Sequence, residues 1–273
     1  MTRFTALMTT VALCGAGLTA VPASAQAVND NVISLDLLNG WATEDGTVMA
    51  ALRFDLAPGW KTYWRAPGES GIPPQFDWTG SDNIAGAEIH WPTPSVFEEN
   101  GLRTIGYKNQ LVLPVEFTPV DRSKPMSVGA DVALGVCQDI CLPVTISVHS
   151  DLDQAPTQSG VIKSALADMP VSAKAGRLSN LSCAVEPISD GLRVTATMSA
   201  PNFATDGIAV LELPDPDIWV SEAMVKRDGA TMTATVDMVP PTAAPFALDR
   251  SDIRITLLSS AQAIDVLGCP AAG

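Results

Sequence analysis

The stretch Val136-Cys137-Gln138-Asp139-Ile140-Cys141-Leu142-Pro143 separates two runs in which every second residue is apolar. Side chains alternate between the two faces of a β-strand, so each run predicts a strand with one buried face. The buried faces would consist of Val128, Ala130, Val132, Leu134 and Val136 before the turn, and of Leu142, Val144, Ile146 and Val148 after it. The pattern therefore predicts two paired strands and an antiparallel β fold.

Cys137 and Cys141 occupy positions between these apolar residues. We therefore expect both sulfur atoms on the face of the hairpin that points away from the core. A turn through residues 138–140 would bring the two Cα atoms within disulfide range. Because the loop is so short, this bond would stabilise the fold by only ~2 kcal/mol, and it could open and close without unfolding the protein.

The spacing of the two cysteines is compatible with three kinds of site. A redox-active pair is the interpretation that we favour, because a weakly stabilising disulfide can be reduced in the folded protein. A structural staple of the hairpin and a metal site with two thiolate ligands remain open alternatives.

Residues 1–25 have the features of an export signal. Arg3 provides the positive end, an apolar run extends from Phe4 to Val21, and Ala23-Ser24-Ala25 forms a small-residue cleavage site. No later segment approaches the roughly 20 apolar residues of a membrane-spanning helix. We expect an exported mature protein without a membrane anchor after cleavage.

The 273-residue chain carries a formal net charge of −14. Such an acidic surface argues against nucleic acid as a partner, because phosphate backbones attract basic surfaces.

Short alternating runs punctuated by Gly, Pro and Asn or Asp recur in both halves of the chain. This pattern predicts an all-β protein with two antiparallel sandwich domains. We place them at residues 26–152 and 178–273. The segment between them, residues 153–177, has apolar residues at helical spacing after Ser159 and a break at Pro170, so we predict a linker with a short helix.

Two further cysteines, Cys183 and Cys269, bracket the second half. A bond between them would close a long loop and stabilise the domain by ~4.6 kcal/mol. We favour a structural disulfide here over a second exchange pair or free thiols.

Tryptophans are concentrated in the first half, most densely in the run from Pro58 to Arg65. The glycines and prolines that follow, up to Gly71, suggest a shaped surface near the cysteine pair.

With these residues in view, the first half resembles the N-terminal periplasmic domain of the DsbD family of thiol:disulfide interchange proteins, and within it the ScsB-type branch. The motifs that carry the resemblance are Trp60–Arg65, Gly71–Pro74, Ile105–Lys108, Leu111–Val115 and Cys137–Pro143. The second half is similar to the additional β-domain of that branch.

The resemblance implies immunoglobulin-like sandwiches and a periplasmic protein that acts as a protein-disulfide reductase. Electrons would pass from a membrane-embedded or thioredoxin-like reductase through Cys137 and Cys141 to disulfide-bearing periplasmic proteins. Cys141 would form the mixed disulfide and Cys137 would resolve it. A cap loop would shield the pair, and by order along the chain it corresponds to Phe97, Glu98, Glu99 and Leu102. No cofactor or metal is expected.

Two features depart from the family pattern. The cysteines are separated by three residues, where the best-studied members have five, and the cap lacks their Phe-Tyr pair. Phe97 and Leu102 are therefore our candidates for covering the sulfur atoms. Since the chain ends at Gly273, without a membrane conduit or a thioredoxin-like domain, we expect the reductant to come from a separate partner.

Charges close in sequence disfavour a thiolate at this pair. Asp139 lies between the cysteines, Glu98 and Glu99 lie in the cap, and the motif contains no His or Lys. We therefore expect a sluggish thiol that becomes reactive when a docked partner displaces the cap. A competing function is a periplasmic copper-binding or copper-tolerance module that uses the same cysteines, because two thiolates suit Cu(I).

Overall fold

The computed structural model describes residues 32–99, 101–152 and 159–272. The predicted export signal, residues 1–25, and the start of the predicted linker lie outside the described residues. Strands dominate the rest, and the predicted all-β class with immunoglobulin-like antiparallel sandwiches is confirmed.

The strands of the first sandwich have the following bounds: β1 Ile33–Ala42, β2 Val48–Leu56, β3 Lys61–Gly68, β4 Gln75–Asp77, β5 Ile84–Ile89, β6 Ser95–Glu99, β7 Leu102–Lys108, β8 Gln110–Pro119, β9 Ser127–Cys137 and β10 Cys141–Asp151. One sheet has the order β1-β2-β8-β5. The other has the order β10-β9-β3-β7-β6, with β4 also paired to β9. The pairs within both sheets are antiparallel.

The core between these two sheets is formed by the alternating apolar residues that the sequence pattern identifies. Val128, Ala130, Val132, Leu134 and Val136 of β9 are all at most 3% exposed. They pack against residues of the opposite sheet such as Leu52, Leu113 and Phe117, which are completely buried. Burial of this apolar surface is the main driving force for the sandwich.

A single α-helix is present in the described residues, α1 at Ser159–Ala167, where the sequence predicts one. Ile162 is fully buried against Leu38, Met49 and Ala51, on the outer face of the β1-β2-β8-β5 sheet. The described part of the predicted linker is therefore packed onto the first sandwich. No helix among the described residues combines the length and the apolarity needed to cross a membrane.

The strands of the second sandwich are β11 Val171–Ser172, β12 Ser179–Pro187, β13 Leu192–Ser199, β14 Ile208–Glu212, β15 Trp219–Val220, β16 Met224–Asp228, β17 Thr231–Val239, β18 Arg254–Leu258 and β19 Ala263–Leu267. A short 3-10 helix, Arg250–Asp252, precedes β18. The sheets have the orders β11-β19-β18-β14 and β12-β13-β17-β15, with β16 beside β17. The short pair of β11 and β19 is parallel, so the predicted linker also contributes a strand to this sandwich.

Cys183 and Cys269 form a disulfide with a Cα–Cα distance of 5.7 Å. Both residues are at most 2% exposed and belong to the core of the second sandwich. The bond joins β12 to the segment after β19. The backbone N–H of Cys183 also donates a hydrogen bond to the carbonyl oxygen of Pro270 in that segment.

The two sandwiches are in direct contact through Arg65 of β3. Its guanidinium donates two hydrogen bonds of 3.0 Å to the carboxylate of Glu212, and it also reaches Thr256 and Asp265. Apolar side chains of the second sandwich, among them Leu258, pack against the core of the first. The strand that leads to the cysteine site is thus held from its far end by the second sandwich.

Candidate functional site

The hairpin of β9 and β10 places the two cysteines directly opposite each other. Its register is unbroken from Cys137–Cys141 at the turn to Ser127–Asp151 at the open end. The cysteines form a disulfide with a Cα–Cα distance of 4.2 Å. The three turn residues 138–140 are exposed, as expected for a short hairpin loop.

The two cysteines differ strongly in accessibility. Cys137 is 1% exposed, whereas Cys141 is exposed. Our expectation that both sulfur atoms lie on an open outer surface is therefore wrong for Cys137. The face is correct, because the alternate residue Val136 points into the core. However, side chains from outside β9 and β10 cover this face beside Cys137.

Tyr63 of β3 provides this cover. Its hydroxyl donates a hydrogen bond of 2.8 Å to Sγ of Cys137 and lies 3.3 Å from Sγ of Cys141. The ring lies over Gly135, where a Cβ atom would be only 3.1 Å from two ring carbons. Gly135 thus makes room for Tyr63. Desolvation, and secondarily the charge of Glu99, raise the pKa of Tyr63 above its ordinary value, so it stays protonated and able to donate.

Lys61 is the direct neighbour of Cys137 in the adjacent strand β3. It is only 4% exposed, which is unusual for lysine. Its ammonium donates to the Glu99 carboxylate at 2.7 Å and lies 3.4 Å from the hydroxyl of Thr104. Strand pairing therefore brings a basic residue beside Cys137, although the motif around the cysteines contains no His or Lys.

The predicted cap residues lie in a hairpin formed by β6 and β7, which we call the cap hairpin. The ring of Phe97 lies beneath two ammonium groups, at 5.3 Å from Nζ of Lys61 and 4.6 Å from Nζ of Lys108. Such contacts are attractive because the ring face is electronegative. Glu99 ends β6, and the hydrogen bond from Lys61 lowers the pKa of its carboxyl group.

The remaining two cap candidates, Glu98 and Leu102, are exposed to solvent. Glu98 pairs with Arg103 at 3.0 Å across the cap hairpin, and 47% of Leu102 is exposed to solvent. The aromatic side chain whose contact with the sulfur atoms the structure records is Tyr63, which sequence reasoning missed. The signal was present in the dense run from Pro58 to Arg65, to which both Lys61 and Tyr63 belong.

We also searched the described part of the chain for side chains that could bind a metal ion. No group of three or more His, Cys, Asp or Glu side chains in that part is arranged to hold a metal ion. The groups gathered at the site are two sulfur atoms, one phenol and one lysine–glutamate pair. This set suits thiolate attack and resolution.

The fold and the site together define the class of protein, an all-β protein with a disulfide at the tip of a surface hairpin. Residues 36–151 match the family described as "Thiol:disulfide interchange protein DsbD, N-terminal". The first sandwich therefore belongs to the DsbD N-terminal domain family, and the resemblance expected from its motifs is confirmed.

A solved structure extends the likeness to the second sandwich. The N-terminal periplasmic domain of ScsB from Proteus mirabilis superposes with a TM-score of 0.66 at 24% sequence identity. The match covers 90% of this chain and 95% of that one. At this identity the likeness establishes a shared two-sandwich fold. A search of curated proteins gave no significant match.

Proposed function

We propose that this protein is a periplasmic protein-disulfide reductase that relays electrons through Cys137 and Cys141. The donor would be a membrane-embedded or thioredoxin-like thiol reductase, and the acceptors would be disulfide-bearing proteins of the periplasm. Family membership of the first sandwich supports disulfide exchange as the type of chemistry. Under this proposal, residues 26–152 carry the reaction, and residues 178–273, tied by the Cys183–Cys269 bond, support it.

The observation that carries the proposal is the asymmetry of the disulfide. Cys141 is exposed at the start of β10, whereas Cys137 is buried and hydrogen-bonded to Tyr63. An incoming disulfide can therefore approach Cys141 and not Cys137. This is the arrangement that an attacking and a resolving cysteine require.

The reaction would proceed in two exchange steps. The Cys141 thiolate attacks one sulfur of the target disulfide, which forms a mixed disulfide and releases the other target sulfur as a thiolate. The Cys137 thiolate then attacks Sγ of Cys141, re-forming the internal disulfide and releasing the second target thiolate. The target gains two electrons and the pair loses two, and the reductase restores the dithiol with two electrons and two protons.

A Cys137→Ser variant tests this assignment in cells, because it can form the mixed disulfide but cannot resolve it. We expect it to accumulate as a covalent adduct that a reducing agent cleaves, while the matched Cys141→Ser variant forms none. Identification of the attached proteins would name both partners. Equal adduct formation by the two variants would contradict the proposed roles.

A variant that lacks both cysteines, together with the adduct assay, distinguishes disulfide exchange from copper binding. Both sulfur atoms are engaged in the disulfide, so a copper site would first need the same reduction. Titration of the reduced protein with Cu(I) is the comparison. Tight stoichiometric binding that is lost in the Cys137→Ser/Cys141→Ser variant, together with absence of adducts in cells, would favour the copper function.

A further inference from the structure

Lys61 occupies a position between the buried cysteine and the cap hairpin. On one side it is the strand neighbour of Cys137. On the other side its ammonium is paired with Glu99, which belongs to the cap hairpin. Directly opposed residues of neighbouring strands have Cβ atoms about 5 Å apart, so a lysine side chain can reach the Cys137 sulfur.

A buried ammonium needs a negative partner, because an unpaired charge in a protected site is costly. The side chain of Lys61 is 5% exposed, whereas that of Glu99 is 50% exposed and sits at the end of β6. Displacement of β6, the outer strand of the cap hairpin, would therefore carry Glu99 away and leave Lys61 in place on β3, which pairs with β7. The thiol of Cys137, on the residue directly opposite Lys61 in the neighbouring strand, would then be a group within reach that can become an anion.

We propose that Lys61 exchanges its partner during the reaction, from Glu99 when the cap hairpin is closed to the Cys137 thiolate when it is displaced. This inference rests on the proposed function, and it explains how docking could activate the resolving cysteine. When no target is bound, Glu99 neutralises the charge of Lys61. During resolution of the mixed disulfide, this charge would instead stabilise the Cys137 thiolate.

The other charged or titratable groups around the cysteines do not replace Lys61 in this role. Tyr63 on β3 donates a neutral hydrogen bond, and Asp139 in the turn has the wrong sign. Lys108 on β7 is exposed and lies one strand farther from Cys137 than Lys61. Glu99 on β6 is the partner that Lys61 already has.

The proposed swap involves no change in electron count. The thiol proton of Cys137 leaves to solvent or to the departing target thiolate, and the resulting thiolate attacks Sγ of Cys141. Lys61 keeps its own proton throughout. It is a positioning residue that stabilises the attacking charge.

The two steps can be separated with dithiodipyridine, a neutral disulfide that releases one coloured thiopyridone per step. The full-length protein is used with Cys137 and Cys141 reduced and Cys183–Cys269 intact. The first release reports attack by Cys141 and the second reports resolution by Cys137. Rates are recorded by stopped-flow absorbance over a range of pH.

Two variants break the same ion pair from opposite sides. Lys61→Met removes the charge, and we expect its second release to slow by about tenfold, because a nearby opposite charge favours a thiolate by about this factor. Glu99→Gln removes the negative partner of Lys61. We expect the second thiopyridone release of this variant to become several-fold faster, with the pH profile of its rate moved to lower pH. A purely structural latch would instead shift both variants in the same direction, and this outcome would overturn the proposal.

Lys108→Met is the matched control, since it removes an ammonium over the same Phe97 ring. Its second release should stay within about twofold of the unmodified protein. If Lys61→Met does not fold by circular dichroism, Lys61→Arg keeps the charge and should retain rapid resolution, whereas slow resolution there would count against the swap. If the unmodified protein shows no second release at all, the proposed function itself fails, whatever the variants do.

Discussion

The phenolic oxygen of Tyr63 lies 2.8 Å from Sγ of Cys137 and 3.3 Å from Sγ of Cys141. One donor thus serves both sulfur atoms of the pair, from a strand that is neither β9 nor β10. The ring that carries it rests on Gly135, which has no side chain to displace it. The cysteine site is therefore built by three neighbouring strands rather than by the hairpin alone.

Tyr63→Phe removes the hydroxyl and keeps the ring. A hydrogen bond to a charged group contributes about 1.5–3 kcal/mol, so the reduced variant should be alkylated at Cys137 about tenfold more slowly at neutral pH. The oxidised variant should lose no more than about 1 kcal/mol in urea unfolding, because a disulfide sulfur is a weak acceptor. An unchanged alkylation rate would show that the hydroxyl does not stabilise the thiolate.

Alkylation of the reduced protein should be ordered. Cys141 is exposed and Cys137 is 1% exposed, so iodoacetamide should modify Cys141 first and Cys137 more slowly than free cysteine. Peptide mass spectrometry at successive times measures both rates. Preferential modification of Cys137, or its reaction faster than free cysteine, would contradict the shielding of Cys137 by Tyr63.

The contact between Lys61 and Glu99 should be weakened by acid. The hydrogen bond from Lys61 lowers the pKa of Glu99 below its ordinary 4.5, so the contact is complete above that pH and is lost as the pH falls through the lower, folded-state value. At neutral pH, a phosphine should therefore reduce the Cys137–Cys141 bond faster in Glu99→Gln than in the unmodified protein. The two rates should converge in acid, and a rate ratio that does not change with pH would refute this role of Glu99.

The ion pair between Arg65 and Glu212 should contribute more to stability than the more exposed ion pair between Arg193 and Asp237. The side chains of this pair are 18% and 16% exposed, and removal of one partner leaves a protected charge unpaired. We expect Arg65→Gln to lower the free energy of unfolding by about 2 kcal/mol, below the range for fully buried pairs. Arg193→Gln is the matched control, because Arg193 and Asp237 form a similar two-bonded pair at 43% and 31% exposure.

The control should cost less than about 1 kcal/mol, as exposed ion pairs do. Urea unfolding measures both losses. Equal losses in the Arg65 and Arg193 variants would show that the interdomain pair is no more important for stability than the exposed pair.

Stability should also depend on the protonation of Glu212. Burial raises the pKa of Glu212 despite its contact with Arg65. The folded protein therefore binds the Glu212 proton more tightly than the unfolded chain, and the contribution of this group to stability increases as the pH falls through its folded pKa. Glu212→Gln should abolish this contribution, and urea unfolding at several pH values measures it.

Local patterns in the sequence predicted the hairpin and its buried face. Alternation from Val128 to Val136 identifies the buried face of β9. The parity of Cys137 and Cys141 predicts that they share the other face, on which the structure places them opposite each other. These features depend on residues close together in the chain. The alternating runs of the second half, such as Val194 and Ala196, are likewise buried.

Features that depend on strand order could not be predicted in this way. Lys61 becomes the neighbour of Cys137 because β3 lies beside β9 in the sheet, and nothing in either segment alone specifies that pairing. The same non-local pairing brings Tyr63 over the sulfur atoms and buries Cys137. The motif around the cysteines therefore looked more acidic and more open than the folded site is.

The most direct test of the account is a redox titration of the folded protein in glutathione buffers, followed by alkylation and mass spectrometry of each cysteine. We predict that Cys137 and Cys141 are reduced and reoxidised reversibly while circular dichroism stays unchanged and Cys183–Cys269 remains oxidised. Resistance of the Cys137–Cys141 bond until the protein unfolds would contradict the proposal that this pair carries electrons.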